Sequence, residues 1–455
     1  MKISAIKKSA IDPTDLRVDA SYHLSDGRLH QAIINCNPFK NLPLKEVTER
    51  IFSGNIFKRL FVADVKVGYP YLTASDMSKS DIETGKYISK KYTSQYSNLK
   101  LEKEWILLSC SGTLGNTAYT SEDYEKIVGT HDLIRIIPSK DKIYSGYLYA
   151  FLTCKYGYSL LTQFGFGGVI KHIEPHHIQN IPIPIISEVI EKKIHNLITE
   201  TSQLRVQGNK LLKDAIRIFE NEIGHSNVNH SFQFGIISSS RLYDFQKRFD
   251  SQFQLGWDLL RNEKKNGSKY VKLSSIASNI YVGGRGKRNY VENGIPFLSS
   301  SDMMLFNPKR NCKKISTSTH GIELMMVNLN DILISRSGTV GNSVIVGKNL
   351  EGTAISEHAL RLVIDEEKIS PFYVFTFLKT KYGMKSMESS SFGSVIITLN
   401  EDLIGNIEMP ILNDDLQNTI IDLTKKYVAN YDEATSLENK AIDLIEKEID
   451  QWQKL

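Results

Sequence analysis

Cysteine is scarce in this chain, and long apolar runs are missing. The 455 residues include 4 cysteines, none of them in a CxxC pair, so neither a metal cluster nor a disulfide framework is expected. No apolar run approaches the roughly 20 residues that a membrane span requires. Residues 1–8 lack the apolar core and the cleavage site of a signal peptide, so we expect a cytoplasmic protein.

Catalytic motifs are also missing. The chain has no Walker loop, and Gly-Phe-Gly-Gly at 165–168 is not a GxGxxG turn. Asn-Pro-Phe at 37–39 is similar to the NPPY/F loop of adenine methyltransferases, but it lacks the second proline, and no glycine-rich cofactor loop precedes it. We therefore predict a non-catalytic chain that holds no cofactor and no metal of its own.

The composition is that of a soluble globular protein. Hydrophobic residues make up 41% of the chain and charged residues 24%. The formal net charge is +5. This mild basicity permits a nucleic-acid partner without requiring one.

An internal repeat organises the sequence. Ser-Gly-Thr-Leu-Gly-Asn at 111–116 returns as Ser-Gly-Thr-Val-Gly-Asn at 337–342, an offset of 338 − 112 = 226 residues. The same offset relates Arg135 to Arg361 and Ser-Asp-Met at 75–77 to 301–303. Further upstream the offset becomes 229, and there Lys58-Arg59 meets Lys287-Arg288. The chain is thus one unit of about 200 residues, duplicated and diverged.

Each copy ends in a heptad pattern that predicts a long helix. The apolar positions predicted to pair the two helices are Ile190, Ile194, Leu197, Leu204 and Leu211 in the first, and Leu416, Ile420, Leu423, Leu437 and Leu444 in the second. A pseudo-two-fold relation between the copies would make the helices antiparallel. The alternative is that each helix packs only on its own domain.

The predicted fold is mixed α/β (α+β), with two similar globular domains separated by two long antiparallel coiled-coil helices. The predicted boundaries are an N-terminal segment at 1–41, a first globular domain at 42–186, a central helix at 187–223, a linker and start of the second repeat at 224–270, a second globular domain at 271–412, and a C-terminal helix at 413–455.

Two similar globular domains without catalytic motifs favour a binding protein. Duplex DNA is a suitable ligand for a pseudo-symmetric pair of such domains. Cations and hydroxyls near the repeated loops can reach phosphates or base edges. The candidate DNA-binding residues are Lys58, Arg59, Ser111, Thr113, Lys171, His172, Arg285, Lys287, Arg288, Arg336, Ser337 and Thr339. Read alone, each basic pair is more often a solvated surface, and its recurrence in both copies favours the functional interpretation.

The histidines do not indicate a metal site. His172, His176 and His177 have no histidine counterparts in the second copy. His131-Asp132 and Glu357-His358 occupy matching places, but no nucleophile is paired with either of them by sequence. We interpret these side chains as polar groups near the start of a strand.

The order of motifs resembles the specificity (S) subunit of type I restriction-modification enzymes. The resemblance covers nearly the whole chain. It includes Tyr-Pro-Tyr-Leu-x-x-Ser-Asp-Met at 69–77, Ile-Pro-Phe-Leu-x-x-Ser-Asp-Met at 295–303, the two SGTxGN loops, and Ile-Pro-Ile-Pro at 181–184 with Ile-Glu-Met-Pro at 407–410. A long helix follows in each copy.

The resemblance implies that each domain reads one half of a split DNA target and that the helices set the spacer. It also implies partners: two methyltransferase subunits that carry S-adenosylmethionine and methylate adenine, and restriction subunits that use ATP and Mg²⁺. The divergent stretches 78–104 and 304–329 would then read different half-sites. Two alternatives stay open, a subunit for a fused type IIB-like methyltransferase–nuclease and a scaffold that binds proteins.

Overall fold

The structure is a computed structural model of the chain. It describes residues 18–94, 96–165, 171–223, 269–393 and 396–452, together with the isolated positions 11, 236, 238–240, 248, 250–251 and 253–254. Residues 166–168, which follow Gly165 in the Gly-Phe-Gly-Gly run, and most of the linker lie outside the described residues.

The described helices follow the chain in this order: α1 Ala20–His23, α2 Asp26–Ile34, α3 Tyr96–Leu99, α4 Ser145–Thr153, α5 Lys155–Thr162, α6 Pro175–Ile178, α7 Glu188–Ile223, α8 Leu273–Ile276, α9 Pro371–Lys379, α10 Lys381–Ser390, α11 Glu401–Gly405 and α12 Asp414–Gln451. None of the described helices is long and apolar enough to cross a membrane.

Two compact units make up the chain. Unit 1 comprises Met1–Val206 and Glu433–Leu455, and unit 2 comprises Gln207–Asp432. The division runs through both long helices, α7 and α12, whereas the boundaries predicted from the sequence kept each helix whole. Each unit therefore includes a segment of both helices.

The described residues of unit 1 form three sheets. Its strands are β1 Lys40–Pro43, β2 Thr48–Ser53, β3 Phe61–Val62, β4 Gly68–Leu72, β5 Tyr87–Ser89, β6 Ile106–Ser109, β7 Thr117–Tyr119, β8 Val128–Gly129, β9 Leu133–Pro138 and β10 Pro182–Ile185. The main sheet is antiparallel, in the order β2-β9-β6-β7. A small sheet has the order β3-β5-β4-β8, and β1 pairs with β10.

Unit 2 repeats this topology. Its strands are β11 Lys269–Lys272, β12 Ala277–Val282, β13 Tyr290–Val291, β14 Ile295–Leu298, β15 Lys313–Ile315, β16 Ile332–Ser335, β17 Ser343–Ile345, β18 Ala354–Ile355, β19 Ala359–Ile364 and β20 Glu408–Ile411. The main sheet is β12-β19-β16-β17, the small sheet is β13-β15-β14-β18, and β11 pairs with β20. The prediction of a mixed α/β fold in two similar units, with a long helix closing each repeat, is confirmed.

Each unit buries apolar side chains from its strands and from both long helices. The core of unit 1 includes Ile194 and Ile198 of α7 with Ala441, Ile445 and Ile449 of α12. In unit 2, Phe219 of α7 packs against the rings of Tyr373 and Phe377. The first half of α7 thus stabilises unit 1, and its second half stabilises unit 2.

The predicted pairing positions are all buried or half-buried. Some neighbouring positions on the same helices are buried more deeply than several of them. Ile194 and Ile420 are fully buried, whereas Leu197 and Leu204 are half-buried. Ile198, next to Leu197, is almost completely buried. The helices bury a stripe wider than a two-helix seam because the globular domain of each unit packs against them too. The antiparallel course of the helix pair stays a prediction.

Candidate nucleic-acid interface

The candidate residues of unit 1 gather at one edge of its main sheet. Strands β2 and β6 run antiparallel to β9, with Ser53 opposite Ile134 and Ser109 opposite Leu133. The ends of β2 and β6 therefore meet the start of β9. We name the segments at this edge the basic loop (54–60), the glycine loop (111–116), the histidine loop (130–132) and the return segment (171–173).

Backbone contacts hold these four segments together. The Gly112 amide donates to the Lys171 carbonyl at 3.3 Å, and the Cys110 amide donates to the Asp132 carbonyl at 3.4 Å. The Ser111 hydroxyl lies 2.8 Å from Nδ1 of His172. A methyl group added to Gly54 would lie 3.5 Å from Cα of His131, so the basic loop starts beside the histidine loop. The fold thus brings together residues that are far apart in sequence.

The charged side chains at this edge are mostly positive, and the cations of the basic loop form no ion pair with a described carboxylate. Lys58, Arg59, Lys171 and His172 are all exposed. Among the described residues, no carboxylate lies within ion-pair distance of Lys58 or Arg59. The nearby carboxylate of Asp132 lies 3.4 Å from Nε2 of His131. An anionic ligand could therefore reach the two cations of the basic loop without displacing an ion pair.

Unit 2 builds the same edge from the equivalent segments 283–289, 337–342, 356–358 and 397–399. The Gly338 amide donates to the Ile397 carbonyl at 3.3 Å, and the Arg336 amide donates to the His358 carbonyl at 3.0 Å. Nε of Arg336 donates to the Leu399 carbonyl at 3.1 Å. Thr339 is exposed, and Ser337 is half-buried.

An ion pair distinguishes the basic loop of unit 2. The guanidinium of Arg288 makes a short contact with the carboxylate of Glu357 and lies 4.8 Å from the ring centre of Phe297. Nε of Arg285 is 3.8 Å from the same carboxylate. Partial burial opposes ionisation of Glu357, but backbone hydrogen bonding and Arg288 outweigh it and lower the pKa of Glu357. Lys287 stays exposed, while Arg288 has a partner that the sequence did not predict.

The glycine loops are framework turns. Gly112 and Gly115 have φ values of 75° and 84°, and Gly338 and Gly341 have 78° and 91°, a region that favours glycine. The Gly115 and Gly341 amides donate to Ser109 and Ser335 carbonyls within their own turns. The Gly112 and Gly338 amides also donate to backbone carbonyls, those of Lys171 and Ile397. These four glycine amides therefore hold the loop in place rather than bind a phosphate.

One buried arginine in each unit connects the main sheet to the small sheet. From the sequence, these two arginines are recognised only as residues that match at the offset of 226. Arg135 on β9 is completely buried and donates to the carbonyls of Leu99, Gly129 and Leu133 at 2.9–3.0 Å. Burial lowers its pKa to about 10. Because Gly129 lies on β8, this guanidinium ties the main sheet to the small sheet.

Arg361, its counterpart, donates to the carbonyls of Met325 and Ile355. The Arg361 side chain is also completely buried. Ile355 lies on β18, so the same connection between the two sheets occurs in unit 2.

His176 and His177 have a local partner in Glu174. His177 Nδ1 accepts from the Glu174 amide at 3.0 Å, and His176 Nδ1 lies 3.3 Å from the Glu174 carboxylate. In the part of the chain that the structure describes, no group of three histidine, cysteine or acidic side chains is placed to hold a metal ion.

Comparison with known proteins gives a family match for the first repeat. Residues 37–213 match the family described as Type I restriction modification DNA specificity domain. No curated protein shows significant similarity to the chain. Among solved structures, the S subunit of a type I restriction-modification system from M. genitalium has 14% identity and a TM-score of 0.35, over 90% of this chain and 96% of that chain. The HsdS subunit from Thermoanaerobacter tengcongensis has 13% identity and a TM-score of 0.28, over 91% and 96%.

The family match and the sequence resemblance agree. The matched range includes the basic loop, the glycine loop and most of α7. Unit 2 repeats the strand order of unit 1 in all three of its sheets. Residues 37–213 are therefore similar to the DNA specificity domain of type I restriction-modification systems, which is the family that the order of motifs predicted.

Proposed function

We propose that the chain is the DNA-binding specificity subunit of a type I restriction-modification system. Each unit reads one half of a bipartite DNA target, and the long helices set the number of base pairs between the halves. The observation that supports this most directly is the recurrence of cation-bearing loops at the same edge of the same sheet in both units.

The proposed chemistry of the chain is recognition alone. Lys58, Arg59 and Lys287 contact phosphates as charged side chains, which fixes orientation on the duplex. Hydroxyl and imidazole groups on the glycine loop and the return segment, such as Thr113 and His172, donate to or accept from base edges. The buried arginines keep the loops in register, because they join the two sheets from which the loops extend.

Catalysis in this proposal belongs to partner subunits in the cytoplasm. Two methyltransferase subunits supply S-adenosylmethionine and transfer its methyl group to N6 of adenine, and restriction subunits use ATP with Mg²⁺. The specificity chain determines which adenines are reached. A fused methyltransferase–nuclease of the type IIB kind would leave the roles of the named residues unchanged.

Footprinting tests the proposal. The chain should be purified with its neighbouring methyltransferase, and the protected bases mapped on duplexes that carry the sequence around modified adenines of the host. Two protected segments separated by an unprotected spacer are expected. A single contiguous footprint, or none with the partner present, would show that the chain does not read a bipartite target.

Replacing both cations of the first basic loop should weaken DNA binding in a salt-dependent manner. The double variant Lys58→Ala/Arg59→Ala should bind about 10-fold more weakly near physiological salt, and the slope of log K against log[salt] should fall by about 2. Fluorescence anisotropy at several salt concentrations measures both quantities. Lys192→Ala/Lys193→Ala on the exposed face of α7 is the matched control. If both pairs have the same effect, the basic loop has no specific role.

Removing the carboxylate that holds Arg288 should have the opposite effect. Glu357→Gln frees the guanidinium and deletes a negative charge beside the loop, so DNA affinity should rise several-fold, with a salt slope steeper by about 1. Glu351→Gln, an exposed position of unit 2, is the charge-matched control. Unchanged affinity for Glu357→Gln would place Arg288 outside the DNA contact.

A further inference from the structure

An exposed apolar surface borders the basic loop of unit 1. Large apolar side chains lie within the basic loop, on β3 and on the turns beside it, and Ile56 is 83% exposed and Tyr92 60% exposed. We call this surface the apolar edge: Ile56, Leu60, Phe61, Val65, Val67 and Tyr92. Six exposed large apolar side chains on neighbouring segments are typical of a binding surface.

Backbone pairing connects the segments that carry the apolar edge to the small sheet. Phe61 on β3 is opposite Ile88 on β5, and the Ser89 amide donates to the Leu60 carbonyl at 2.9 Å. The Lys90 amide donates to the Val67 carbonyl at 2.9 Å. These bonds bring the segment before Tyr92 alongside the turn that carries Val65 and Val67.

The charge around the apolar edge favours a polyanion as its ligand. Segments 55–67 and 89–96 contain five cations and one carboxylate, Asp64, a net charge of 5 − 1 = +4, while the whole chain has +5. The cations are Lys58, Arg59, Lys66, Lys90 and Lys91. All five are exposed, and none forms an ion pair with a described carboxylate. These two segments thus combine a net charge of +4 with the six exposed side chains of the apolar edge.

Unit 2 lacks this combination. At the positions of Ile56 and Leu60 it has Arg285 and Asn289, and Tyr290 replaces Phe61 as the exposed ring on the edge strand. The segment after β15, residues 316–319, is Ser-Thr-Ser-Thr and offers no aromatic side chain. The two units therefore present different chemistry on the same sheet edge.

We propose that the apolar edge of unit 1 inserts at a base step of duplex DNA, while its five cations hold the flanking phosphates. Apolar side chains that enter a groove unstack base pairs and bend the duplex, and aromatic rings stack on the exposed bases. Unit 2 reads its half-site without insertion. The inference rests on the proposed function and adds that the two half-sites are recognised by different means.

The test compares apolar and charged substitutions on the same probe. The probe is a 40-base-pair duplex that carries the bipartite sequence defined by footprinting, with 2-aminopurine at successive positions of each half-site. Ile56→Asn/Val65→Asn/Tyr92→Asn should bind about 100-fold more weakly with an unchanged salt slope, because it removes base contacts and no charge. Wild-type binding should raise 2-aminopurine fluorescence in one half-site only, and the triple variant should abolish that rise.

Matched controls separate the possible outcomes. Leu29→Asn/Val189→Asn changes two exposed apolar positions of unit 1 outside the apolar edge and should bind like the wild type. All three substituted side chains of the edge are exposed, so the triple variant should keep the wild-type melting temperature.

Wild-type affinity and fluorescence in the triple variant would overturn the insertion while the bipartite footprint stands. Loss of the methyltransferase subunit with unchanged DNA affinity would make the edge a protein-docking surface, and no footprint from the wild type would overturn both proposals.

Discussion

An Ile445→Ala chain should have a free energy of unfolding for unit 1 about 2–5 kcal/mol below that of the wild type. Ile445 has no exposed surface, and it lies in the core that also contains Tyr147 and Leu160. Deleting residues 433–455 should have a larger effect, because Ala441, Ile449 and Trp452 leave the same core. Unit 1 would then lack all the side chains that α12 contributes to its core.

Hydrogen exchange shows which unit loses stability. Amides of α4 in unit 1 should lose protection in Ile445→Ala, while amides of α9 in unit 2 should keep theirs. Asp443→Ala, an exposed position on the same helix, should leave both unchanged. Equal loss of protection in α4 and α9 would mean that the two units unfold together.

The second large effect is expected for Glu438→Ala. The carboxylate of Glu438 is completely buried, and it accepts from Arg205 Nη2 at 2.9 Å and from the Tyr149 hydroxyl at 2.7 Å. Its removal leaves a largely buried guanidinium without this counter-charge. The expected loss in the free energy of unfolding is about 3–5 kcal/mol.

Chemical denaturation of the single and double variants tests the role of this ion pair. Arg205→Met/Glu438→Leu replaces both charges with apolar groups and should recover most of the stability that Glu438→Ala loses. A double variant as unstable as Glu438→Ala would show that the site needs the polar network itself. Glu433→Ala, an exposed acidic position on the same helix, should change the stability little.

The sequence predicted the two units well because duplication leaves a constant offset. It predicted the long helices from heptads, but it missed that each helix is divided between the units. Periodicity reports that a face is buried and does not report what covers it. Ile198 and Ile445 are buried against strands and helices of unit 1, so they lie beside the predicted seam rather than in it.

Within the candidate site, the sequence indicated which loops carry the cations but not how their charges are paired. The contact between Arg288 and Glu357 joins residues far apart in the chain, and no local pattern reveals it. The apolar edge had a readable signal, namely Ile56, Leu60 and Phe61 on either side of Lys58 and Arg59. That pattern gave no indication that the side chains stay exposed, because an edge strand and a buried strand have the same apolar content.

The division of the long helices also determines the order in which the units form during synthesis. All of unit 2 lies within one continuous stretch, whereas unit 1 needs residues from position 433 onward, 433 − 206 = 227 residues after its first part ends. At ribosomal speeds of about 5–20 residues per second, that part waits roughly 10–45 s for its missing helix segment. Unit 1, whose first part is translated before unit 2, is therefore the unit that completes its core last.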